Sequence, residues 1–125
     1  LSRRQRQMCI RDSNSSMVWS EIEPSADAIL VSFGGGRTHS ARDEILFEII
    51  AGNYEPSALL PMQQPLDMET VEAQYEDVPR DMDCYVDADG NTYDFTFGLN
   101  WSGVINDERV AKYNVPPIVG TNPLE

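Results

Sequence analysis

The stretch Ala28 to Phe33, AILVSF, most limits what this chain can fold into. It is apolar throughout except for Ser32. A strand that faces solvent on one side alternates apolar and polar residues; a run like this one reads as a strand covered on both faces, as in a parallel sheet between helices. Gly34, Gly35 and Gly36 end it. Ser40 then stands where a helix cap belongs, with Asp43 three residues on completing a capping-box pattern. Ile45 with Ile49, and Leu46 with Ile50, form two i,i+4 pairs, so the helix has one apolar face that can lie on a sheet. Phe47 falls at the edge of that face or against a neighbouring segment. Gly52 sits where a left-handed C-terminal cap belongs, and Pro56 forbids continuation. The unit is strand, loop and helix, with a further short strand expected near Leu59 to Met62.

The flanks read differently. Residues 1–13, LSRRQRQMCIRDS, hold four of the nine basic residues and one of the 21 acids. Without them 5 basic and 20 acidic residues remain, a net charge of −15 against −12 for the whole chain. The tract resembles a translated sequencing-adapter remnant and is set aside from fold reasoning as a tag would be, which makes the chain a fragment lacking its natural N-terminal part. The alternative is a natural basic arm. Met17 to Trp19 can end a strand, and Pro24 keeps the residue before it out of the helical region. Beyond Gln63 the pattern weakens into an irregular, acidic wrap. Met68 to Tyr75 suits a short helix capped by Asp67. Asp89-Gly90 is a hairpin signal between Cys84–Val86 and Thr92–Phe97. Gly98 to Ile105 is apolar enough to pack back on the domain. Residues 106–125, with prolines 116, 117 and 123, read as a tail or linker. The expected domains are thus 1–13, 14–105 and 106–125.

At 125 residues the chain suits one domain. Its acidity argues against nucleic acid and anionic membranes as partners, since both are held by positive surfaces. No run of about 18 apolar residues occurs, so membrane insertion is not expected. Two cysteines, Cys9 and Cys84, fit no zinc pattern or disulfide scaffold, and no metal or cofactor is expected.

The glycine triplet invites a phosphate-binding reading, but a dinucleotide fingerprint needs a small residue at His39, and a Walker loop needs a Gly-Lys-Ser/Thr ending. Ligand sites in open α/β sheets lie beyond the carboxyl ends of strands, and Gly34 to His39 is such a loop. Gly35, Arg37 and His39 are therefore the candidate substrate contacts, the other reading being a plain connection. Asp87 to Asn91, DADGN, begins like a calcium loop, yet Thr92 stands where the invariant glycine belongs and the later glutamate is missing. A hairpin turn explains it. His39 is the single histidine, so no His-based triad or metal cluster can be built. Asn100-Trp101-Ser102 is a formal glycosylation sequon.

Two segments carry a family resemblance. Glu21 to Phe33, followed by Glu44 to Pro61, resembles the late part of the second domain of glycoside hydrolase family 3. There Gly52 to Pro61 follows a G-x-x-x-P-S-G-x-L-P progression, with Ala58 and Leu59 as departures. Tyr93 to Trp101, YDFTFGLNW, resembles the family's Y-x-F-G-x-G-L-S-Y segment. The resemblance implies a partial open α/β sandwich, a βα unit followed by an irregular, hairpin-containing C-terminal region. It also implies membership of a retaining exo-acting β-glycosidase, a β-glucosidase in its specific form. The partner is a β-glucoside or related oligosaccharide met through the full-length enzyme. The family's aspartate nucleophile and glutamate acid/base belong to motifs absent here, so no catalytic residue is assigned. A non-catalytic α/β module for sugar binding or interaction is the competing reading.

Overall fold

The computed structural model describes residues 8–13, 16–33, 39–75 and 77–116; of 8–13 and 39–42 it describes the backbone alone. In order these form β1 (Met8–Ser13), a 3-10 turn (Glu23–Ser25), β2 (Ala28–Phe33), α1 (His39–Ile50), α2 (Met68–Ala73), β3 (Leu99–Asn100), β4 (Gly103–Val104) and α3 (Glu108–Tyr113). The fold is a small mixed α/β arrangement. It has one parallel pair, β1 with β2, and one antiparallel pair, β3 with β4.

The expected strand and helix both form. Residues 8–13, set aside in the sequence reading, form β1 and run parallel to β2 in register from Met8–Ala28 to Ser13–Phe33. Helix α1 begins at His39, so Ser40 lies inside its first turn and is not its cap. Its end follows the sequence. Gly52 has φ +80°, its N–H donates to the Ile49 carbonyl at 3.1 Å, and Asn53 N–H donates to the Glu48 carbonyl at 2.9 Å. Those two bonds define a Schellman cap, which needs a residue tolerant of the left-handed region.

The expected burial does not follow. Ala28 of β2 is exposed and Ile29 to Phe33 are half-buried. On α1, Phe47 is 67% exposed and Ile45 53%, while Leu46 and Ile49 are half-buried. A two-stranded sheet is too narrow to cover a helix face and its own second face at once.

The core lies in the region expected to be an irregular wrap. Trp19 (2% exposed), Tyr85 and Ile105 are buried together with Gln63, Gln64, Pro65 and Thr96. Three extended segments close on one another there. Gln64 N–H donates to the Tyr93 carbonyl (2.9 Å), Tyr93 N–H to Tyr85 (2.9 Å), and Tyr85 N–H to Gln64 (3.0 Å). This ring of backbone bonds satisfies buried peptide groups without a regular ladder. Aromatic side chains fill beside it: Tyr93 meets Tyr85 edge-on and stacks on Phe97, both with centroids 5.4 Å apart.

Met17 to Trp19 form no strand; they dock on this ring instead. The Trp19 indole N–H (2.9 Å) and the Met17 amide (3.1 Å) both donate to Gln64 Oε1. The Tyr85 hydroxyl donates to Glu23 at 2.7 Å, holding the 3-10 turn. Leu59 to Met62 form no named strand, though Leu60 exchanges backbone bonds with Phe97 (2.7 Å) and Thr96 (2.9 Å). Part of the expected tail is structured: α3 occupies residues 108–113, and Arg109 donates to the Ser57 carbonyl at 2.7 Å.

Candidate functional site

Of the residues the sequence singles out, Gly35 and Arg37 lie outside the described residues. His39 is described only as backbone, at the start of α1. The DADGN segment is a turn: Gly90 has φ +84°, and Asp87 Oδ1 accepts from the amides of Asp89 (3.0 Å) and Asn91 (2.9 Å). Asp87 Oδ2 accepts from the Asn91 side chain and the Tyr93 hydroxyl. These donors use the carboxylate inside the hairpin. Partial burial pushes its pKa up, but the bonds from Asn91, Tyr93 and Asp89 outweigh that and leave it below the usual range. Among the described residues no group of three or more His, Cys, Asp or Glu could hold a metal ion.

A concavity among the described residues lies elsewhere, against the core. It is a cleft of about 660 Å³ with Pro61, Met62 and Gln63 on one wall and Arg80, Met82 and Phe95 on the other. The local sequence explains the first wall. The dipeptide Gln63-Gln64 sits in an extended stretch between Pro61 and Pro65, so successive side chains point to opposite sides. Gln64 enters the core, 1% exposed, and Gln63 turns toward the cleft.

Gln63 is held on every side. Its Nε2 donates to Asp94 Oδ1 (3.0 Å) and Cys84 Sγ (3.3 Å), its Oε1 accepts from the Met82 amide (3.2 Å), and its carbonyl accepts from Ser16 Oγ (2.8 Å). Across the cleft Arg80 donates to the Val115 carbonyl (3.2 Å) and Asn114 Oδ1 (2.8 Å), pairs with Asp94 Oδ2 (3.4 Å), and lies over the Phe95 ring at 5.2 Å. The backbone at Arg80 is left-handed, φ 59°, as it is at Thr96, φ 71°, next to Phe95. Non-glycine residues held there carry strain of about 1–3 kcal/mol each.

The titrating groups beside the cleft are set for structure rather than proton transfer. Burial raises the Asp94 pKa, but the bonds from Gln63 and the Phe95 amide, with the charge of Arg80, outweigh that and lower it. Burial, then the charge of Asp94, pushes the Cys84 thiol up to about 11. Both Asp94 oxygens are taken, Oδ1 by Gln63 and the Phe95 amide and Oδ2 by Arg80, and the thiol stays protonated near neutrality, so the carboxylate is engaged within the wall and the thiol is not a thiolate nucleophile. Arg80, Gln63 and Phe95 carry no local motif that marks them in the sequence. The nearest signal is the polar pair in Pro61-Met-Gln-Gln-Pro65, which breaks an otherwise apolar approach.

No family model, curated protein or solved structure matches the chain. No helix among the described residues is long and apolar enough to cross a membrane.

Proposed function

We propose that this chain is the late part of an α/β sandwich domain in a retaining, exo-acting β-glycosidase, a β-glucosidase in its specific form. One observation carries the reading. The two segments that resemble the family are bonded to each other: Leu60, in the Gly52–Pro61 progression, exchanges backbone bonds with Thr96 and Phe97 of the Tyr93–Trp101 segment. Gly98 lies so close to Ala58 that a Cβ there would meet the Ala58 carbonyl oxygen. Side-by-side packing gives a physical reason for Gly98 in its motif. The exposed apolar residues of α1 agree with a sandwich in which further layers cover that helix.

The two-carboxylate chemistry of such an enzyme then belongs to residues outside this chain. Assay of the chain with an aryl β-glucoside is expected to give no turnover; sustained hydrolysis would overturn the proposal. Reading the coding sequence upstream of Met17 is the second test. A barrel with a Ser-Asp-Trp-like nucleophile segment supports the glycosidase, and an unrelated region sinks it. A non-catalytic sugar-binding or interaction module is favoured by one feature, the cleft without a poised acid or base.

A further inference from the structure

The chain carries 21 acids and nine basic residues, yet among the described residues no acid lines the cleft beside Arg80. Arg80 is the one charged lining residue among those described. Asp94 answers part of its charge from behind the wall, so a second anion would compete with a carboxylate already in place. The cleft is therefore electrostatically suited to an uncharged guest. Its apolar lining, Met62, Met82, Val71 and Phe95, faces polar groups with bonding capacity to spare. The guanidinium has five N–H donors, of which hydrogen bonds to the described residues use three, leaving Nε–H and one Nη1–H. The Gln74 side chain has no partner among the described residues and sits at the same mouth. The volume lies in the range of about 300–1,000 Å³ usual for small-molecule sites. Arg80, one of two non-glycine residues with left-handed backbone among those described, lines it, as strained residues do at ligand clamps.

We propose that this cleft binds one neutral pyranose unit, its C–H face on Met62, Met82 and Phe95 and its hydroxyls on the Arg80 guanidinium and Gln74 amide. A pyranose has an apolar face and a hydroxyl edge, which is the pairing this lining offers. The site binds and does not cleave. Its choice of ligand rests on the sugar-directed reading above, and its location does not.

The test is a titration of the 125-residue chain, labelled at methionine methyls, with methyl β-glucoside. Saturable shifts at Met62 and Met82 with a dissociation constant on the order of millimolar are expected. Gln74→Ala leaves the fold intact, because its amide has no internal partner, and weakens binding about threefold. Arg80→Gly relieves the backbone while removing the guanidinium, and weakens it about tenfold. No saturable shift in the parent chain overturns the proposal. So do shifts confined to the exposed Met68, or tighter binding of glucuronate than of the neutral glucoside. The glycosidase reading is judged separately, by the upstream sequence, so either can fail alone.

Discussion

Gln64 shows how much one side chain can hold. Its Oε1 takes the Trp19 indole and the Met17 amide, and its backbone closes the ring with Tyr85 and Tyr93. Its Nε2 is buried with no partner among the described residues. Gln64→Ala opens a cavity and leaves two donors unpaired, so it should cost about 3 kcal/mol, read as a lower urea midpoint by Trp19 fluorescence. Gln64→Met fills the same space and removes the orphaned Nε2, so its cost should be smaller, about 1–2 kcal/mol. If the two variants are equally unstable, the bonds to Oε1 and not the volume carry the effect. Gly98→Ala places a methyl on the Ala58 carbonyl and should cost at least ~2 kcal/mol by the same measurement.

Helix α1 is correct as an element and incomplete as a partner. Its C-terminus is capped by Gly52, yet Ile45, Phe47 and Ile50 remain exposed. Exposed apolar residues on one helix drive association when nothing covers them. The chain alone should therefore form oligomers, seen as a concentration-dependent mass by light scattering. Phe47→Ser should reduce that association while changing monomer stability by less than about 0.5 kcal/mol, because a residue this exposed loses little on truncation. A Phe47→Ser variant that melts much earlier would show that the side chain is packed in the monomer. By contrast α2 is self-contained: Asp67 accepts from the Thr70 amide at 2.8 Å, the cap its sequence announces.

At the scale of the whole molecule, stability should fall at both ends of the pH range for separate reasons. Asp94 and Asp87 have folded pKa values below the ordinary 3.8. Their contribution is present above about pH 4 and is lost as acid protonates them through the lower folded values. Cys84 rises from 9.0 to about 11 through burial, and Tyr85 from 10.0 to about 12, chiefly through its bond to Glu23. Their contribution is complete below pH 9 and declines toward pH 11 to 12. Thermal melts across pH should give a broad plateau between these limbs. Cys84→Ala should flatten the start of the alkaline limb, and a limb unchanged in that variant would remove Cys84 as its cause.

What the sequence determined by itself is local. The apolar run became β2, the Gly52 and Asp67 caps ended and began helices where the residues required, and DADGN made its turn. Each depends on residues within a few positions of one another, where backbone sterics and capping leave few alternatives. Only the tertiary structure decided where the core lies. Trp19 meets Gln64 across 45 residues and Glu23 meets Tyr85 across 62, pairings that no periodicity encodes. The cleft is equally non-local, since Gln63, Arg80 and Phe95 come from three separate segments. An apolar stripe states that a face needs cover, and it says nothing of what covers it. That is why β2 and α1 were legible as elements while the packing around Trp19 and Gln64 was not.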